Sequence, residues 1–193
     1  MNRLSAALLL AVVAPACTPA APPTAPLAGA RIGGPFSLTD QDGRPFTDRD
    51  LGRRYAIVYF GYTFCPDACP TDMGALAAGL KQVERSDPAT AAKVRLVFVT
   101  VDPARDTPPV LKTFVRAFHP QAIGLTGSQA AIDATARAYG VAHGIGPKSP
   151  GGGYLVDHSR AAYLMGPDGR PIALAGQDGG PAAVAATIRQ WVK

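Results

Sequence analysis

Two cysteines and one histidine are the residues of this chain best suited to chemistry. Cys65 and Cys69 lie in Gly61-Tyr62-Thr63-Phe64-Cys65-Pro66-Asp67-Ala68-Cys69-Pro70, with three residues between them, where an apolar run meets an Ala/Leu-rich helical pattern. Two thiols in such a turn can be redox partners or soft-metal ligands. Both uses need thiolate, and a helix N-terminus favours thiolate. Two thiolates select Cu(I), Zn(II) or iron–sulfur clusters. A closed structural zinc site wants four Cys or His ligands. With three cysteines and three histidines in all, two thiolates completed by one His suit three-coordinate copper better. Open coordination would also permit the ion to be handed on.

His158 sits in Tyr154-Leu155-Val156-Asp157-His158-Ser159-Arg160, where a polar pair interrupts two apolar segments. It reads either as the third ligand or as a plain turn histidine. His119, before Pro120 at a helix end, reads as a partner of the C-terminal dipole. His143, in the Gly-rich stretch 140–153, reads as solvated. Thiol–disulfide exchange needs the cysteine pair and a low thiol pKa, and no histidine. Thioredoxin-type oxidoreductases usually space their cysteines by two residues and carry a cis-proline facing them. This chain uses three, and Asp157-His158-Ser159-Arg160 has no proline. Both departures disfavour a general disulfide oxidoreductase and leave a specialised one open.

Several elements must position these residues. Tyr55-Ala56-Ile57-Val58-Tyr59-Phe60 is a continuous apolar run, as in the middle of a sheet. Met73, Leu76, Ala77, Leu80 and Val83 keep helical spacing, which predicts a helix over 70–84. Residues 94–101 read as the next buried strand. Residues 108–118 read as a helix with two prolines in its first turn. Ser128 can cap a helix that runs to Tyr139 and stops at Gly140. Residues 154–157, 161–165 and 172–174 read as strands, the last two joined by Pro167-Asp168-Gly169-Arg170. Residues 181–192 close the chain as a helix. Upstream, Phe36-Ser37-Leu38 and Pro45-Phe46-Thr47 flank an Asp-Gly turn, a hairpin signal. This order predicts an α/β fold: a thioredoxin-like three-layer sandwich, its mixed central sheet flanked by helices, with an N-terminal β-hairpin.

A length of 193 residues suits one domain plus a leader, and 47% apolar residues can fill its core. The net charge of +5 includes no run of five or six basic residues, which disfavours nucleic-acid binding. Residues 1–16 read as an export signal, with Arg3 ahead of an apolar stretch too short to span a bilayer. Ala14-Pro15-Ala16 precedes Cys17, and a small residue followed by Cys resembles a bacterial lipoprotein signal. Lipidation at Cys17 would place the protein on the extracytoplasmic (periplasmic) side of a bacterial membrane. Cys65 and Cys69 would then be the remaining free thiols, left to pair with each other or to share a ligand. Residues 17–30 read as a Pro/Ala-rich tether and 31–193 as the folded domain.

Gly61 to Thr71 resembles the signature of the Sco (SenC) family of copper-binding assembly factors. Thr100-Val101-Asp102-Pro103-Ala104-Arg105-Asp106-Thr107-Pro108 is similar to that family's acidic loop. Gly124-Leu125-Thr126-Gly127-Ser128 with Ala138-Tyr139-Gly140-Val141 resembles its middle region, and Tyr154 to Ser159 its histidine block. The resemblance covers about residues 32–192. It implies a copper site, Cu(I) or Cu(II), of Cys65, Cys69 and His158. It implies delivery of copper, reductant or both to the dinuclear copper centre of cytochrome c oxidase subunit II. A further copper chaperone and a thiol–disulfide reductase are possible upstream partners. As a reductase, Cys65 and Cys69 would be the redox pair. Asp102 and Asp106 read as a helix-start acidic turn, or as residues for docking or metal capture.

Overall fold

The computed structural model describes residues 23–51, 53–148 and 153–193. Signal and lipidation expectations for residues 1–16 and Cys17 fall outside these. The strands are β1 Ser37–Asp40, β2 Pro45–Thr47, β3 Tyr55–Gly61, β4 Val94–Thr100, β5 Ile123–Thr126, β6 His143–Lys148, β7 Tyr154–His158, β8 Ala162–Met165 and β9 Pro171–Leu174. The helices are α1 Ala68–Ser86, α2 Pro88–Ala91, α3 Pro108–Phe118, α4 Gln129–Ala138 and α5 Gly180–Trp191. Among the described residues these strands make a seven-stranded sheet, in the order β2-β1-β5-β4-β3-β8-β9, and a separate β6–β7 ribbon. No described helix is long and apolar enough to cross a membrane.

The central strands β3, β4 and β5 are parallel. Parallel strands need crossovers, supplied here by α1 and α3, and right-handed crossovers in one direction place both helices on one face. The outer pairs, β1 with β5, β3 with β8 and β8 with β9, are antiparallel, so the sheet is mixed. β3 is buried on both faces, and its alternation shows this. Tyr59 points to α1, its hydroxyl donating to Asp72 at 2.8 Å. Phe60 points to the opposite face, its ring 5.3 Å from that of Tyr139 at the end of α4. This is the expected thioredoxin-like sandwich with its N-terminal hairpin, β1–β2.

α1 packs along α5 with no side chain between them at Gly79. A Cβ there would lie 2.5 Å from Val184 Cβ and 2.8 Å from the Pro181 carbonyl oxygen. The close fit seats α1 firmly, and α1 carries Cys69.

The segment order differs from the sequence expectation at β5, at β6 and at the short α2. β5 is a strand, whereas only a loop-and-helix region was expected there. It is four residues long, with Gly124 pressed against Leu111 and Val115 of α3. β6 replaces the expected Gly-rich loop. Its Gly and Pro content hides it, and only pairing with β7 makes it a strand. The packed domain also reaches upstream of Arg31: the Leu27 amide donates to the Ile172 carbonyl at 3.0 Å, and Leu27 packs on the core.

Candidate metal centre

β3 ends at Gly61, and the chain turns through Cys65 into α1 at Ala68. Cys69 lies in the first turn of α1 and is fully buried; Cys65 lies in the loop and is half-buried. Gly61 makes room for this. A Cβ at that position would stand 2.9 Å from Cys69 Sγ, closer than real side chains approach. The strand end and the thiol can be this near only because residue 61 has no side chain.

Asp67, at the N-cap of α1, makes no side-chain cap. The Cys65 sulfur takes part of that role, accepting the Cys69 amide at 3.4 Å. Burial pushes the Cys65 thiol up, but hydrogen bonds from the Cys69, Asp67 and Ala68 amides and from the Cys69 thiol outweigh it. The net result is a lowered pKa. A helix N-terminus stabilises thiolate in this way. Cys69 behaves oppositely: burial pushes it up to about 12, and the neighbouring Cys65 adds to the rise. Cys65 is therefore the more acidic and more exposed thiol, and Cys69 the enclosed one whose proton burial holds. In reduced protein near pH 8, Cys65 is expected to alkylate well before Cys69, as mass spectrometry of a timed iodoacetamide reaction would read. Equal rates would contradict this split.

His158 ends β7 and brings its ring to the same place. Its Nε2 lies 3.2 Å from Cys69 Sγ, and its Nδ1 lies 3.1 Å from the Ser159 carbonyl oxygen. A carbonyl can only accept, so Nδ1 carries the proton and Nε2 offers its lone pair to the thiols. Burial lowers the His158 pKa, which keeps the imidazole neutral near pH 7. Tyr59 and Tyr62 meet the ring edge-on, at 6.2 and 6.0 Å between centroids. The donor atoms of Cys65, Cys69 and His158 all lie within 4.8 Å of one another. Two sulfurs and one imidazole nitrogen are a soft, three-donor set, suited to Cu(I).

The other histidines stay apart. His119 is the C-cap residue of α3, and its ring is held by Glu84 at Nε2, 3.0 Å away, and by the Gln121 amide donating to Nδ1 at 3.2 Å. His143 is not solvated: it is the cross-strand neighbour of His158 and contacts Asp133 at 3.3 Å.

Asp102 and Asp106 are buried and bonded internally. Asp106 accepts from the Thr63 amide at 3.0 Å, from the Thr63 hydroxyl at 2.6 Å and from the Thr100 hydroxyl at 2.6 Å. It laces the cysteine loop to the end of β4. Asp102 accepts from the Tyr154 hydroxyl at 2.9 Å and pairs with Arg105. The Arg105 guanidinium stacks 3.7 Å from the Tyr154 ring centroid and 5.0 Å from that of Phe64. Loop and ribbon are thus braced together beside Cys65.

A second brace was not anticipated. Arg160, two residues after His158, makes two hydrogen bonds to Asp72, at 3.0 and 2.6 Å. Asp72 is 1% exposed and lies one turn after Cys69. A buried carboxylate needs such a partner, so the pair locks the histidine loop onto the cysteine helix. The signal was present in the sequence: residue 72 falls on the buried stripe of α1, next to Met73.

The SCO1/SenC family matches residues 24–193. The mitochondrial SCO1 homolog of Mus musculus is 41% identical over 159 residues, which are 81% of this chain and 55% of that protein. Protein SenC of Rhodobacter capsulatus is 46% identical over 142 residues, 72% of this chain and 61% of its own length. The chain spans about half the length of the curated relatives it matches. The crystal structure of Arabidopsis thaliana ScoI with copper bound matches with a TM-score of 0.76 at 37% identity, over 82% of this chain and 97% of that one.

Proposed function

The chain belongs to the SCO1/SenC family, and from that premise we propose that it is a copper metallochaperone for cytochrome c oxidase assembly. Cys65, Cys69 and His158 are its ligands, and the dinuclear copper centre of subunit II is its target. The observation that carries this reading is the convergence of two thiols and a bare imidazole nitrogen within 4.8 Å. Copper is cargo here. Its positive charge would displace the protons of both thiols, including the one burial holds on Cys69. His158, already neutral, would bind without losing a proton. Cys65 is the accessible ligand and the natural point of transfer.

The thiol asymmetry favours a second reading, a dedicated reductase of the subunit II cysteines. The Cys65 thiolate would attack a disulfide of the partner, forming a mixed disulfide and expelling one partner thiolate. Cys69 would then close the Cys65–Cys69 disulfide, releasing the second partner thiol, and two electrons would have passed to the partner. The two readings separate on His158. Copper-loaded protein mixed with the reduced soluble domain of subunit II is expected to populate the dinuclear centre. The same assay with His158→Ala should fail. Activation of an oxidised domain by the copper-free protein, indifferent to His158, would instead establish the reductase.

We place the protein on the extracytoplasmic face of a bacterial membrane, held by a lipidated Cys17, with residues 1–16 as its signal. The Ala16-Cys17 junction and the short apolar stretch before it support this. Cys17→Ser should release the protein into the soluble extracytoplasmic fraction or block its processing. A variant that stays membrane-bound and normally processed would rule lipidation out as the anchor.

A further inference from the structure

Five exposed arginines gather at the end of the domain opposite the thiols, and a sixth, Arg137, stands at the margin of that face. Arg49, Arg53 and Arg54 line a groove of about 370 Å³ with Asp168 and Gly169. Arg53 and Arg170 line the adjoining concavity, which Ala25, Ala28 and Gly29 complete. Arg31 and Arg137 join Arg170 in a third, around the same β8–β9 turn. Among the described residues only Arg170 of the six has an ion pair, a 3.8 Å contact with Asp168. The acids beside them, Asp48, Asp50 and Asp168, number three against six guanidinium groups, so the face keeps a net positive charge. Burial, and to a lesser degree the charge of Arg54, lowers the pKa of neighbouring Arg95.

The arginine cluster sits at the start of β3, and the thiols sit at its end. This strand starts at Tyr55, beside Arg54, and ends at Gly61, beside Cys69. Its seven residues separate the two ends by roughly 20 Å. At the thiol end the exposed charges are mixed: Asp67 and Asp157 are joined by Lys148, and Asp178 is paired with Arg160 at 3.3 Å. The N-terminal segment also arrives on the arginine face, where Leu27 is tied to Ile172. Upstream of it lies the apolar stretch 4–13. Guanidinium groups grip phosphate bidentately, and anionic bilayers attract exposed basic clusters.

We propose that the arginine face around the β8–β9 turn docks onto the anionic, phosphate-bearing surface of a lipid bilayer, which turns the cysteine end outward. The inference is independent of the copper reading and of lipidation at Cys17. Docking would fix the orientation of the domain as well as its distance from the bilayer, so that Cys65 faces partners standing above the membrane.

The test is sedimentation of the full chain with phosphatidylcholine vesicles and with vesicles that also contain phosphatidylglycerol, at low salt. The leader contributes the same in every variant, so the preference for anionic vesicles is the readout. Each basic residue at such a surface contributes about fivefold in partitioning. The triple variant Arg49→Glu, Arg53→Glu, Arg54→Glu should therefore lose that preference by about tenfold or more, with binding to phosphatidylcholine unchanged. Should it fail to fold, Arg49→Gln with Arg170→Gln, both at exposed positions, should show a smaller loss in the same direction. Undiminished preference in a folded variant overturns the proposal. So does loss of the wild-type preference to inorganic phosphate at matched ionic strength, which would make the groove a site for free anion.

Discussion

His158→Ala is expected to weaken Cu(I) binding by about 100-fold or more, since even residues that merely support a ligand change metal affinity by about 10–100-fold. Competition against a chromophoric Cu(I) chelator would measure it. The loss should be selective. The ring touches Tyr59 and Tyr62 by their edges, and the braces on either side, Asp102–Arg105 and Asp72–Arg160, do not include it. Circular dichroism and the thermal midpoint should therefore stay close to wild type. A folded variant with near-wild-type copper affinity would mean that the imidazole is no ligand. Asp72→Ala would be a poor substitute for this experiment, because it strips Arg160 of its buried partner and removes the acceptor of the Tyr59 hydroxyl at once.

Oxidation of the cysteine pair should have an equally large effect. A disulfide takes away two of three donors, and its sulfurs are poor ligands compared with thiolate. The oxidised protein is expected to bind almost no copper, and thiol reduction should restore the full complement. Native mass spectrometry of oxidised and re-reduced protein mixed with Cu(I) reads both states. Full occupancy with the disulfide intact would refute the dependence. The structure supports reversible closure: Cys65 and Cys69 are both free thiols, with donor atoms inside the 4.8 Å cluster, and the more acidic of the two is the more exposed.

Much of this site was legible because its signals are local. The apolar run of β3, the helical spacing of α1 and the cysteines between them are read from neighbouring residues. His158 stood out as a polar break between two apolar segments, but its place as a ligand came with the family resemblance. What escaped depends on contacts distant in sequence. β6 contains two glycines and a proline, and it exists through β7. β5 is too short to announce itself, and Gly124 within it serves the approach of α3. His143 looked solvated because its partner, Asp133, is on another element. The Asp72–Arg160 lock joins residues 88 apart in the chain, so only Asp72's place on a buried helix face could have hinted at it. Asp102 and Asp106 were recognised as an acidic loop, but their role as buried acceptors for Thr63, Thr100 and Tyr154 follows from packing.

The most direct measurement is X-ray absorption at the copper edge on reduced, Cu(I)-loaded protein, wild type beside His158→Ala. The account predicts a single copper with two sulfur donors and one imidazole nitrogen in the wild type, with the imidazole signal gone in the variant. Copper held by sulfur alone in both proteins, or by oxygen and nitrogen donors without sulfur, would contradict it.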